Sequence, residues 1–189
     1  DPIYALNNPG EVTKDNLNVL FEYPSPNANK PLHIGHLRNI LLGDALSNMF
    51  ALKYNVKRMN LINDRGTAMS KTMLGYKMCE YDSPESANKK SDHFVGDCYV
   101  LFNQRLKDDE SLLEDAQELL LKWESNDADS IELWTKIMHW VESGQDVTYK
   151  RLNMNKPDYV IHEHDIYMQG KEIVLAAYDK GLITKDDEG

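Results

Sequence analysis

Asn27-Ala28-Asn29-Lys30-Pro31-Leu32-His33-Ile34-Gly35-His36-Leu37-Arg38-Asn39 decides how this 189-residue chain is read. Upstream of it, Val19-Leu20-Phe21-Glu22-Tyr23 reads as a buried, alternating strand. Pro24-Ser25-Pro26 stops that strand, because proline has no N–H to give to a sheet ladder. Downstream, Leu37, Ile40, Leu41, Ala45, Leu46, Met49 and Phe50 recur at helical spacing. The segment is therefore strand, tight turn and helix, with two histidines and a glycine where the helix opens. The first N–H groups of a helix are unpaired and carry the positive end of its dipole, so anions settle there. Gly35 has no side chain to hold a nucleotide off the backbone. His33 and His36 share one side of the first turn, from which both can donate to phosphate oxygens as charge develops.

A His pair at this spacing also suits a metal, but no Cys or carboxylate lies nearby in sequence as a third ligand. His162-Glu163-His164-Asp165 raises the same question: in a strand its two histidines would point to one face. No third ligand is identifiable there, and no metal site is expected.

At these residues a family becomes recognisable. His33-Ile34-Gly35-His36 resembles the HIGH signature of class I aminoacyl-tRNA synthetases and their nucleotidyltransferase relatives. The longer string from Glu22 to Asn39 resembles arginyl-tRNA synthetases in particular, as does Asn60-Leu61-Ile62-Asn63-Asp64-Arg65-Gly66-Thr67. Asp92-His93-Phe94-Val95-Gly96-Asp97 further resembles a bacterial branch of that family. The likeness runs to the last residues. Two alternatives remain: a smaller HIGH-motif nucleotidyltransferase, which would lack the long acidic insertion and the Ser25-Pro26-Asn27 lead, and a non-catalytic binding module.

Composition bounds the rest. Two cysteines, Cys79 and Cys98, make no disulfide framework, so a reducing cytoplasm is expected. There is neither a charged-then-apolar signal segment nor an apolar run near the roughly 20 residues of a membrane span. The net charge of −10 argues against a polyanionic partner until its distribution is read. Residues 24–78 hold eight basic residues against Asp44 and Asp64, a local +6 around the HIGH block, as ATP and an RNA end would want.

In order along the chain, residues 1–16 are a polar, turn-rich leading segment. Residues 17–81 form a βαβ unit: a strand over 17–23, the HIGH helix over 35–53, a second strand over 56–62 and a helix over 68–81. Met69-Ser70-Lys71-Thr72 superficially resembles the second class I signature, KMSKS, but lies too early and reads as structural. Residues 82–156 are a helical, acidic connective insertion: Ser83-Pro84-Glu85 opens a short element, Ser111-Leu112-Leu113-Glu114 is a capping box, and Asp129-Ser130 precedes another helix. Trp123, Trp134 and Trp140 read as packing residues. Residues 157–189 return to the catalytic fold, with a strand over 158–161 and a helix over 170–180 closed by Gly181, and then break off. The fold expected is α/β: the first half of a class I Rossmann-like nucleotide-binding fold, parallel-stranded, with a helical insertion.

The resemblance implies an arginine–tRNA ligase with ATP, arginine and tRNA(Arg) as partners, Mg²⁺ arriving with ATP, and no membrane. The oligomeric state is open, with a monomer expected. It implies that His33, His36 and Lys30 act on the triphosphate, that Gly35 lets adenine approach, and that Ser25, Pro26, Asn27 and His36 line the arginine pocket. Tyr167 matches the family's Tyr after the third strand, while Asp165-Ile166 departs from its Ser. The guanidinium-reading residues, the second signature and the anticodon-binding helices would lie beyond residue 189, so the isolated chain is expected to be inactive.

Overall fold

The computed structural model describes residues 14–185, together with Asn7; most of the expected leading segment lies outside them. The described elements are β1 (Asn18–Glu22), α1 (Ile34–Ala51), β2 (Asn55–Ile62), α2 (Thr67–Lys77), α3 (Ser91–Arg105), α4 (Leu112–Glu124), α5 (Ala128–Arg151), β3 (Tyr159–His162) and α6 (Glu163–Asp179). The strands form one parallel sheet in the order β1-β2-β3. Parallel neighbours need a crossover, and α1 makes the first. The second runs through α2 to α5, which leave the carboxyl edge of β2 and return at β3.

Pro24 and Pro26 end β1 at Glu22 as expected, yet pairing does not stop there. Asn27 bridges Asn63, with Ala28 N–H donating to Asn63 O at 2.8 Å and Asn63 N–H to Pro26 O at 3.1 Å. This zips the loop before α1 to the loop after β2 and sets the site.

The main core joins α2 and the end of β2 to the helices of the insertion. Met69 and Met73 of α2, Val95 of α3, Leu119 of α4, and Ile137, Met138 and Val141 of α5 pack with Ala28 and Ile62. Met69 and Ser70 are thus buried packing residues, as the early position of their KMSKS-like string implied. Gly96 of α3 lies against the HIGH loop so closely that a Cβ there would sit 2.5 Å from Pro31 Cδ. Trp140 is boxed by Tyr76 and Phe94 at ring distances of 5.4 and 5.6 Å.

Several expectations are corrected. β1 is not buried: Leu20 is 56% exposed, and in α1 only Ile40 and Ser47 are fully covered while Leu41, Leu42 and Leu46 face out. Ser111 makes no capping box, because its N–H and hydroxyl both bond to Asp109 Oδ1, at 3.0 and 2.6 Å. α5 opens at Ala128, capped by the Asp127 carboxylate accepting from Ser130 N–H at 3.0 Å. Residues 83–89 form turns rather than a helix. The last helix begins at Glu163 rather than Gly170, so His164 is helical and does not share a strand face with His162. No described helix is long and apolar enough to cross a membrane.

Burial of the insertion core sets its alkaline limit. Burial pushes the Cys98 thiol up to about 12, and burial with the nearby Asp92 raises Tyr149. Groups held protonated by the fold contribute stability that is complete below their ordinary values, 9.0 and 10.0, and is lost as pH rises beyond them. The urea midpoint should therefore fall steadily once pH passes 9.0, and Cys98 should resist alkylation at neutral pH until the chain unfolds. A flat midpoint across that range, or ready labelling of folded Cys98, contradicts this burial.

Candidate active site

The two histidines of the HIGH block cap their own helix. His33 is the N-cap of α1, in extended conformation, and its Nδ1 accepts from Gly35 N–H at 3.1 Å. His36 Nδ1 reaches back to accept from His33 N–H at 3.1 Å, which makes a capping box of two imidazoles. This arrangement fixes both tautomers. With Nδ1 accepting on each ring, the proton of each neutral imidazole sits on Nε2, leaving two outward donors. The ring centroids are 4.0 Å apart. Partial burial, then the neighbouring His33 and Lys30, lower the His36 pKa, so that ring stays a neutral donor at neutral pH. Gly35 serves this geometry directly: a Cβ there would lie 2.9 Å from His33 Cε1.

The residues before the helix divide between two hollows. Ser25 is held at positive φ, its N–H donating to Asn60 Oδ1 at 3.1 Å and its hydroxyl to Glu22 Oε1 at 2.9 Å. With Glu22, Asn39 and Gly43 it lines a hollow of about 470 Å³ between β1 and α1. Asn27, Asn29 and Lys30 face a polar cavity of about 300 Å³ shared with Asn63, Arg65 and Thr67. Pro26 is fully buried beneath them. Glu22, which the sequence marks only as a strand residue, also lines this hollow, exposed at the end of β1.

The third set of residues gathers around Asp64, which is 0% exposed. Its carboxylate accepts from His164 N–H at 3.1 Å and from His164 Nδ1–H at 2.5 Å, so it caps α6 from another strand's loop. Trp134 Nε1–H donates to the Asp64 carbonyl at 2.8 Å. His162 pairs separately with Glu142 at 2.6 Å. The sequence-predicted Tyr167 lies apart from Ser25, Pro26, Asn27 and His36: it stacks under the Arg65 guanidinium, 3.2 Å from ring centroid to Cζ. Arg65 also pairs with Glu124 at 2.5 Å.

The local excess of positive charge is partly committed to structure. Lys53 pairs with Asp15, Lys57 with Asp158 and Arg65 with Glu124, while Arg58 bonds to Ser47 and Asn48. Lys30, beside the polar cavity, makes no ion pair among the described residues.

A parallel sheet whose first crossover helix opens on outward-facing donors at its positive end is the frame of a nucleotide-binding α/β domain. The family model for the catalytic domain of class I (R) tRNA synthetases matches residues 4–189, and the chain belongs to that family. The arginine–tRNA ligase of Borreliella afzelii (strain PKo) is 44% identical over 177 residues, covering 93% of this chain and 30% of its own length. That of Borrelia turicatae (strain 91E135) is 42% identical over 188 residues, covering 98% and 31%. Among solved structures, Thermus thermophilus arginyl-tRNA synthetase superimposes with a TM-score of 0.61 at 26% identity, over 95% of this chain and 30% of that one. The chain thus spans about a third of the length of the relatives it matches.

The cap geometry is open to direct measurement. Ring ¹⁵N spectra at neutral pH should show His33 and His36 both protonated at Nε2, with His36 gaining its second proton only below 6.5. Gly35→Ala, which drives a methyl into the His33 ring, should scramble the His33 tautomer. Nδ1-protonated rings in the unmodified protein would contradict the paired cap.

Proposed function

We propose that this chain supplies part of the catalytic domain of a cytoplasmic arginine–tRNA ligase, which activates arginine with ATP and passes it to tRNA(Arg). The observation that carries the reading is the imidazole capping box, which aims two Nε2–H donors outward at the positive end of α1. In the first step a carboxylate oxygen of arginine attacks the α-phosphorus of ATP, and pyrophosphate leaves. In the second, a hydroxyl of the terminal ribose attacks the arginyl carbonyl carbon, and AMP leaves.

Both steps are positioning and charge stabilisation more than proton transfer by a strong base. His33 and His36 donate to phosphate oxygens as charge grows on them, through the Nε2–H that capping leaves facing outward. Lys30 adds a point charge from the cavity beside them. Gly35 keeps the helix start open to adenine. Ser25, Pro26, Asn27 and His36 shape the arginine pocket, with the Asn27 amide on the amino acid's polar head. Glu22 offers a counter-charge to a cation in the Ser25 hollow. Tyr167, stacked on Arg65, bounds the substrate side from α6. Mg²⁺ arrives with the nucleotide, since Asp64, the buried carboxylate beside these loops, is already committed to His164.

In the full-length enzyme, His36→Ala should lower the turnover of arginyl-adenylate formation by about 10²- to 10³-fold with a much smaller change in ATP KM, because the donor acts on developing charge. Turnover close to wild type would contradict the role. The isolated 189-residue chain should show no aminoacylation above a His33→Ala/His36→Ala control; measurable charging would contradict the proposal that the site is completed by other parts of the enzyme.

A further inference from the structure

The stretch Asp92-His93-Phe94-Val95-Gly96-Asp97, at the start of α3, takes no direct part in the chemistry proposed above, yet it meets the HIGH loop. A Cβ on Gly96 would lie 2.5 Å from Pro31 Cδ and 3.2 Å from Pro31 Cγ. Pro31 itself stands between Lys30 and the His33 cap of α1. We infer that Gly96 is a positioning residue: by letting α3 close on the Pro31 ring, it sets the seat of the HIGH loop and so the places from which Lys30 and His33 act. The inference rests on the aminoacylation reading above and gives the helical insertion a part in its first step.

Three observations carry it. The first is that α3 cannot retreat. Gly144 of α5 lies so close to Asp92 that a Cβ there would stand 2.5 Å from its backbone N and from its Oδ1. Gly75 of α2 meets the Cys98 carbonyl at backbone contact. Asp92 is 1% exposed; Lys90 pairs with its carboxylate at 2.8 Å and donates to Thr148 Oγ1 of α5 at 2.7 Å. Phe94, Val95, Cys98 and Phe102 are buried between these neighbours. A helix packed this densely passes a displacement on rather than absorbing it.

The second is that Pro31 cannot yield by rotating a side chain. Its ring is closed on the backbone N, so Cδ moves only with the main chain. Opening 2.5 Å to the 3.4 Å of an ordinary contact would lift the loop by about 0.9 Å. The third is where the contact face points. Asp92, Gly96 and Tyr99 share one face of α3 at i, i+4 and i+7. Asp92 docks on α5, Gly96 on Pro31, and Tyr99 lines the polar cavity together with Lys30. One helix face thus runs from the core of the insertion to the edge of the site.

The test uses the full-length enzyme, with arginyl-adenylate formation followed in the presence of arginine, ATP and tRNA(Arg). Gly96→Ala should lower its turnover about 10²-fold, the loss expected of a misplacement of about 1 Å, with the tRNA KM unchanged. Pro31→Ala removes the obstructing Cδ and Cγ and leaves a backbone N 3.5 Å from a Cβ on Gly96. Combined with Gly96→Ala, it should restore most of the lost turnover. Leu119→Ala, a cavity in the same core, should lower the melting temperature and leave turnover near wild type. The His33 ring ¹⁵N shifts should follow the same pattern, displaced in Gly96→Ala and returned in the double variant. Turnover close to wild type in folded Gly96→Ala would overturn the inference, as would equal losses in the single and double variants or in Leu119→Ala. A wild-type enzyme that charges no tRNA would sink the aminoacylation reading instead, and the His33 ring shifts would still decide whether Gly96 places the loop.

Discussion

The Asp64 carboxylate is the constraint on which the site's construction depends. It has lost all contact with water, and a buried carboxylate persists only if its charge is met by well-placed donors. His164 supplies two, from its backbone and from its ring, and Asp64's own carbonyl accepts from the Trp134 indole N–H. One residue thereby joins the loop after β2, the first turn of α6 and the middle of α5. Removing either partner would leave the other uncompensated, so the three elements hold their relative positions together. Arg65 follows directly in sequence, and its side chain becomes the partition between the polar cavity and an aromatic cleft lined by Trp123, Trp134 and Tyr167.

The same logic of satisfied ends runs through α1. A helix start with unpaired N–H groups can bind its own side chains or a ligand. Here the caps are imidazoles, which accept with one nitrogen and present the other. Capping therefore uses one edge of each ring and leaves the opposite edge for the phosphate contact proposed above, and the act of capping determines which edge carries the proton. The zipper from Pro26 to Asn63 keeps that helix start level with the Asp64 loop, and the close packing of Pro31 on Gly96 fixes it against the insertion.

Much of this was legible in the sequence. Proline on both sides of Ser25, followed by two histidines at helical spacing, is enough to give strand, turn and helix, and from these the parallel pair follows. The membership in a class I synthetase family was readable from the same block. What could not be read was decided at long range. The start of α6 at Glu163 depends on Asp64, 100 positions earlier in sequence, and without that cap the segment looks like a strand end. Ser111 carries a capping-box pattern but loses it to Asp109, a local competitor two residues away. The expectation of a buried β1 failed because alternation reports a covered face only where something lies over it, and Leu20 is open.

The central claim is that α1 opens on two imidazole donors set for phosphate by their own capping bonds. A crystal structure of the full-length enzyme with arginine and a non-hydrolysable ATP analogue tests it most directly. The account predicts phosphate oxygens within hydrogen-bond reach of both Nε2 atoms while both Nδ1 atoms keep their backbone partners. Phosphates bound away from this turn, or rings that abandon the cap to reach them through Nδ1, would contradict it.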